Sequence, residues 1–214
     1  FWGVNVNGRV AVPLLADFHP DTVALLTNHS DSVVLFVDDD IWAKMNPDEM
    51  PNLKAAVNVK DYGILWHQDQ AVADAWENRK KAFAEKYPDG MFPEHVSYPD
   101  DNADDLAIIN YTSGTTGEPK GVIIRQSNYQ QAMKIHDIRL KNVTDKDVSL
   151  SFLPLSHIFE RAWTYFCMHR NMVVAVNKNP KEIQTVIKEV RPTMMCSVPR
   201  FWEKVYMGVN DKIE

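Results

Sequence analysis

Apolar and polar positions along this chain follow two rhythms, one suited to helices and one to strands. Pro20, then Val23 and Leu26, then the polar Asn28-His29-Ser30 predict a short helix with proline in its first turn. Val33-Val34-Leu35-Phe36-Val37 is a β-branched run stopped by Asp38-Asp39-Asp40. Its apolar residues fall on both faces, so it predicts a buried parallel strand. Ala55 to Val59 and Gly63 to Trp66 are weaker strand signals. Val72, Trp76, Phe83 and Tyr87 fall near helical spacing and predict one helix with a core-facing stripe, ended by Pro88-Asp89-Gly90. From Pro88 to Asp105 the chain is rich in Pro, Asp and Asn without periodicity, which predicts a surface loop or linker between two lobes, 88–105.

The second half is more regular. Strands are predicted at Leu106 to Tyr111, Gly121 to Ile124, Ser149 to Leu153, Met172 to Val176 and Met194 to Val198. Ser127 with Gln130 three residues on reads as a capping box opening a helix to about Leu140, and Ile158 to His169 reads as another helix. Asn179-Pro180 places a cap and a first-turn proline before Ile183, Ile187 and Val190, which share one helical face. Pro199 stops the last strand, and Arg200 onward is helical. Strands alternating with helices imply βαβ units, hence an α/β fold with a mostly parallel sheet flanked by helices.

Composition narrows the class without naming a chemistry. The chain has 214 residues, 45% hydrophobic and 24% charged, the balance of an ordinary globular protein. Lys+Arg is 23 against Asp+Glu 29, a net charge of −6, which argues against nucleic acid or a broad anionic surface as partner. Cys167 and Cys196 are too few for a disulfide framework and sit in apolar stretches, so they read as packed thiols in a reducing compartment. No apolar run approaches the ~18 residues of a membrane span. A cytoplasmic location is expected, with peripheral membrane contact left open. Phe1-Trp2-Gly3-Val4 reads as the middle of an element, so the chain is read as a piece of a longer protein.

The chemistry concentrates in Tyr111-Thr112-Ser113-Gly114-Thr115-Thr116-Gly117-Glu118-Pro119-Lys120-Gly121-Val122. Three glycines let a ligand approach the main chain. Thr112, Ser113, Thr115 and Thr116 offer hydroxyls, and Lys120 a positive charge. Amides, hydroxyls and one ammonium match the needs of a polyphosphate. This is not a Walker A loop, because Glu118-Pro119 separates Gly117 from Lys120 and glycine follows the lysine. The segment joins two predicted strands instead of opening a helix, so loop groups would hold the phosphate with little help from a helix dipole.

This segment resembles the phosphate-loop signature of the AMP-forming adenylating enzymes, which include acyl-CoA synthetases, peptide-synthetase adenylation domains and luciferases. Leu153-Pro154-Leu155-Ser156-His157-Ile158-Phe159-Glu160-Arg161 resembles the family's next motif. Its Ile-Phe-Glu-Arg ending is similar to the long-chain fatty-acyl-CoA synthetase branch, as is Arg191-Pro192-Thr193 through Val198-Pro199-Arg200 with Glu203-Lys204-Val205-Tyr206. The likeness is weak before Asp104 and strong after it.

The resemblance implies that 1–214 is a fragment of the AMP-binding (adenylation) N-terminal domain, with the C-terminal domain absent. It implies two steps. A carboxylate attacks the α-phosphate of ATP to give an acyl-adenylate and pyrophosphate, and the thiol of coenzyme A then displaces AMP. Thr112, Ser113, Gly114, Thr115, Thr116 and Gly117 would wrap the β- and γ-phosphates, and Lys120 would neutralise them. Thr112 would also touch Mg²⁺, alongside a glutamate that is not in this chain. His157 would border the carboxylate of the fatty-acid substrate. The chain alone is expected to lack full turnover. Alternatives at this stage are an adenylating enzyme for an aromatic or amino acid, and a nucleotide-binding module without catalysis.

Other features are read more plainly. Glu160 and Arg161 are equally open to a structural pairing and a functional one. Trp163, Tyr165 and Phe166 fit a buried helix face better than an acyl channel, and Val198-Pro199-Arg200 fits packing. Asp38-Asp39-Asp40 and Asp100-Asp101 with Asp104-Asp105 lack the spacing of a calcium loop and read as solvated loop ends.

Overall fold

A computed structural model describes residues 1–97, 102–112 and 119–211. The chain forms two compact units, one of Phe1–Asn102 with Leu106–Ile123, the other of Ala103–Asp105 with Ile124–Glu214.

The first unit holds helices α1 (Trp2–Val6), α2 (Pro20–His29), α3 (Asp39–Trp42), α4 (Gln70–Glu77) and α5 (Arg79–Lys86). Its strands are β1 (Val34–Val37), β2 (Ala55–Asn58), β3 (Ile64–His67) and β4 (Leu106–Thr112), and β5 (Lys120–Arg125) carries the chain on into the second unit. β1 and β2 pair in parallel with Val34 opposite Ala55. β3 returns antiparallel to β2. The central strand β2 is buried at all four positions, as its run of small apolar residues requires. Ala24, Met50 and Leu53 form the core beneath, with Leu35, Trp42, Met45 and Trp66 packed against them. A parallel bridge from Ala11 to Ile108 ties the early chain to β4.

Two expectations fail here for physical reasons. β1 is not buried on both faces, since Val34 and Phe36 remain 40% and 43% exposed. The strand lies at a sheet edge. Phe36 there meets the ring of Trp76 at 6.3 Å between centroids, and that contact leaves much of its face uncovered. The expected single helix is also two. Asn78 donates its side-chain amide to the Asp74 carbonyl at 2.9 Å and Arg79 donates to the Trp76 carbonyl at 2.7 Å. The Asp74 carbonyl still accepts the Asn78 backbone amide at 3.0 Å, but the Arg79 guanidinium takes the Trp76 carbonyl that a continuing helix would need. The apolar stripe ends with them, and Phe83 is half-exposed.

The second unit holds α6 (Gln126–Arg139), β6 (Val148–Ser151), α7 (Ile158–His169), β7 (Val173–Val176), α8 (Ile183–Val190) and α9 (Pro199–Asn210). β6 and β7 pair in parallel, Val148 opposite Val173. Trp163, Phe166 and Cys167, spaced three and four apart on α7, bury one stripe against Val143 and Met172. The Trp163 indole N–H donates to the Ser149 hydroxyl at 2.8 Å, which satisfies the polar edge of a buried ring.

Two further expectations change in this unit. Met194 to Val198 is not a strand. It makes one parallel bridge, Met194 to Ser149. The amides of Thr193 and Met194 converge on a single carbonyl, that of Val148, and Pro199 opens α9 immediately after. Ser127 does not cap α6 either. β5 runs straight into the helix, and Asn128 accepts the Arg125 amide at 2.8 Å. The Ser127 amide instead donates to the Ala103 carbonyl at 2.8 Å. Among the described residues no helix is long and apolar enough to cross a membrane.

Candidate functional site

β4 is buried at Ala107, Ile108, Asn110 and Tyr111 and surfaces at Thr112. β5 is its paired neighbour and begins at the exposed Lys120. The hydroxyl of Thr112 and the ammonium of Lys120 therefore stand at the two strand ends that flank the glycine- and threonine-rich connection. The connection joins strand to strand. Ser113, Gly114, Thr115, Thr116 and Gly117 lie outside the described residues.

The root of that connection is tightly made. The Tyr111 hydroxyl and His29 Nδ1 share a hydrogen bond of 2.7 Å, and their rings meet edge-on at 5.7 Å between centroids. Burial pushes the Tyr111 phenol upward from its ordinary pKa, and a bond from Ser30 partly opposes this. Gly121 lies against the same ring. A Cβ there would sit 3.1 Å from Ile109 Cγ2 and 3.3 Å from Tyr111 Cε1, closer than a side chain tolerates without displacing its neighbours.

In the second unit, His157 is the N-cap residue of α7 and is exposed. Its amide donates to Pro154 at 3.0 Å and its carbonyl accepts the Arg161 amide at 3.2 Å. Arg161 is fully enclosed. Its guanidinium donates to the Tyr129 hydroxyl and the Leu155 carbonyl, each at 2.9 Å, and to the Ser156 carbonyl at 3.4 Å. It thereby pins the turn that delivers His157. Burial raises the Tyr129 phenol, and the Arg161 charge and hydrogen bond counteract part of that shift.

Glu160 is also fully enclosed. Burial raises its carboxyl above the usual range, with weaker help for the charge from Ser151 and the Phe152 backbone. Neither oxygen reaches full hydrogen-bond geometry with a neighbour. Position 161 has become a structural anchor, and position 160 a buried acid.

The aromatic residues of α7 divide. Phe166 is wholly core, while Trp163 reaches both the core and a groove of about 500 Å³ in the second unit. Ile135, Leu140, Phe159, Met195 and Trp202 make up most of the groove's apolar wall. The Tyr165 ring packs on Tyr129 at 5.0 Å, and burial moves its phenol to about 12.

Asp38, Asp39 and Asp40 bring carboxylate oxygens within 4.8 Å of one another. Lys60 bridges two of them, at 2.9 Å to Asp38 and 3.0 Å to Asp39, at an exposed loop end. Its bond to Lys60 holds Asp39 below the ordinary carboxylate range.

Thr112 and Lys120 thus belong to the first unit and His157 to the second, each described within its own unit. The sequence pointed to all three. It gave no signal for His29, which looked only like the end of a helix, or for Tyr129, whose partner Arg161 lies 32 residues away.

The strand-flanked glycine- and threonine-rich segment thus sits within α/β units. The chain belongs to the AMP-binding enzyme family, whose description fits residues 1–213. It is 30% identical over 224 residues to long chain acyl-CoA synthetase 4 of Arabidopsis thaliana, covering 98% of this chain and 32% of that protein. It is 29% identical over 206 residues to the long-chain-fatty-acid–CoA ligase FadD15 of Mycobacterium tuberculosis, covering 93% and 32%. The chain therefore spans about a third of the length of these relatives. Among solved structures, the anthranilate CoA ligase AuaEII in complex with anthranoyl-AMP superposes with a TM-score of 0.71 at 17% identity, over 91% of this chain and 36% of that one. The N-terminal domain of FACL13 from Mycobacterium tuberculosis gives 0.68 at 19%, over 93% and 46%. These likenesses establish the fold.

Proposed function

We propose that the chain supplies the phosphate-binding and acyl-binding parts of an AMP-forming ligase that activates a long-chain fatty acid and passes it to coenzyme A. The observation that carries this reading is the emergence of Thr112 and Lys120 at paired strand ends on either side of a hydroxyl-rich segment, in a chain of the AMP-binding family.

The physical problem is that a carboxylate is a poor electrophile. Joining it to the α-phosphorus of ATP makes a mixed anhydride, with pyrophosphate as leaving group. Charge builds on the departing phosphates, and groups already aimed at them lower the barrier without reorganising. Lys120 would meet that charge. The hydroxyls of Thr112, Ser113, Thr115 and Thr116 and the amides near Gly114 and Gly117 would orient the tail. The Thr112 hydroxyl is a hard oxygen donor and fits Mg²⁺, which when bound screens the phosphate charge.

His157 would stand beside the acyl carboxylate. It is the N-cap of α7, two residues before Phe159, which lines the groove. About 500 Å³ falls within the size of small-molecule sites and suits a hydrocarbon chain.

ATP–pyrophosphate exchange by the full-length protein, run with palmitate, an aromatic acid and an amino acid, tests the reading. Exchange dependent on palmitate supports it. Exchange only with the other acids, or none with any acid, overturns it.

A further inference from the structure

We infer that His29 and Tyr111 form a clasp that holds the two strand ends carrying Thr112 and Lys120, so that both are positioning residues for the nucleotide. The inference rests on the reading that Thr112 and Lys120 contact the triphosphate.

The geometry is specific. Tyr111 directly precedes Thr112, and Gly121 directly follows Lys120. The Tyr111 ring is the surface on which the two strand ends meet, because Gly121 packs against it so closely that a Cβ there would push the ring by a few tenths of an ångström. His29 fixes the ring through the 2.7 Å bond to its hydroxyl and the edge-on ring contact. His29 is the last residue of α2, and the Ser30 hydroxyl closes that helix end by donating to the Leu26 carbonyl at 2.7 Å. A helix end thus holds the tyrosine, and the tyrosine sets where Thr112 leaves β4 relative to where Lys120 enters β5. Misplacing an ammonium or hydroxyl by about 1 Å is enough to weaken charge-assisted bonds to a phosphate.

His29 is exposed, so its replacement removes the bond to Tyr111 without opening a cavity. That separates positioning from packing.

The experiment measures affinity of the full-length protein for Mg·ATP and for Mg·tripolyphosphate, which carries only the phosphate tail. The variants are Tyr111→Phe, His29→Ala, the pair together, and Lys120→Ala as reference, with thermal midpoints recorded for each. The clasp predicts that His29→Ala weakens both probes about three- to tenfold, the worth of one hydrogen bond, and that Tyr111→Phe, which also gives up the Ser30 bond, weakens them at least as much. The double variant should be no weaker than the poorer single, and the His29→Ala midpoint should stay near that of the parent chain. Losses that multiply in the double variant, or unchanged affinity in both singles while Lys120→Ala binds poorly, overturn the clasp. Unchanged affinity in Lys120→Ala as well removes the phosphate reading itself, and the clasp with it.

Discussion

The Glu160 carboxyl is enclosed at the first turn of α7, where burial favours its protonated form. An acid whose folded pKa is raised keeps its proton in the folded state after the unfolded chain has lost it. Its stabilising effect is therefore complete below the ordinary carboxyl range, near pH ~4.3, and declines as pH rises from there to the raised folded value. Glu160→Gln, which is neutral and nearly isosteric, should flatten that decline. It should raise Tm at neutral pH by about 2–4 °C, corresponding to ~1 kcal/mol in a chain of this size. Thermal melts of both proteins at about pH 4 and pH 7 provide the check, and a variant that melts lower at neutral pH would refute this account of Glu160. The thiols give a second prediction at this scale. Burial pushes Cys167 to about 11 and Cys196 to about 12, so neither is a thiolate at ordinary pH. An aromatic disulfide reagent at about pH 8 should leave both unmodified until the chain is denatured.

Among the elements, α7 was the most legible. Its residues at three- and four-residue spacing give a continuous buried stripe, and its bounds match the pattern read from the sequence. The same stripe predicts unequal consequences for two phenylalanines. Phe166→Ala empties a core position and should cost ~3–5 kcal/mol in urea unfolding. Phe159→Ala, at a residue 52% exposed on the groove wall, should change stability by less than about 1 kcal/mol while weakening binding of a fatty acid.

α6 shows where local pattern misleads. Ser127 and Gln130 have the spacing of a capping box, yet β5 enters the helix without a break and Asn128 takes the capping role. Asn128→Ala should therefore cost ~1 kcal/mol and Ser127→Ala much less, measured by the same unfolding. Met194 to Val198 was misread for a related reason. A β-rich run becomes a strand only where a partner ladder exists, and here a single bridge supplies it. The break at Asn78 was hidden because a side chain taking a helix carbonyl leaves no trace in hydrophobic spacing.

At the scale of the molecule, two units carry separate cores, one around Met50 and Leu53 and one around Trp163 and Phe166. The candidate site was chosen from the sequence because glycines, hydroxyls and a lysine within one short segment have few other uses, and Thr112 and Lys120 stand at the strand ends that flank it. The supports of that site were not readable. His29 bonds Tyr111 across 82 residues, and Arg161 reaches Tyr129 across 32, separations over which a sequence gives no pairing signal. The chain covers about a third of its relatives' length, and we expect it to bind nucleotide without sustained acyl-CoA formation when assayed with ATP, palmitate and coenzyme A.

The central claim is that the segment between β4 and β5 holds the triphosphate tail. Titrating Mg·ATP into the chain while following tryptophan fluorescence, for the parent and for Lys120→Ala, tests it most directly. Loss of one charge-assisted bond worth ~1.5–3 kcal/mol predicts affinity at least tenfold weaker in the variant. Equal affinity in the two proteins would contradict the claim.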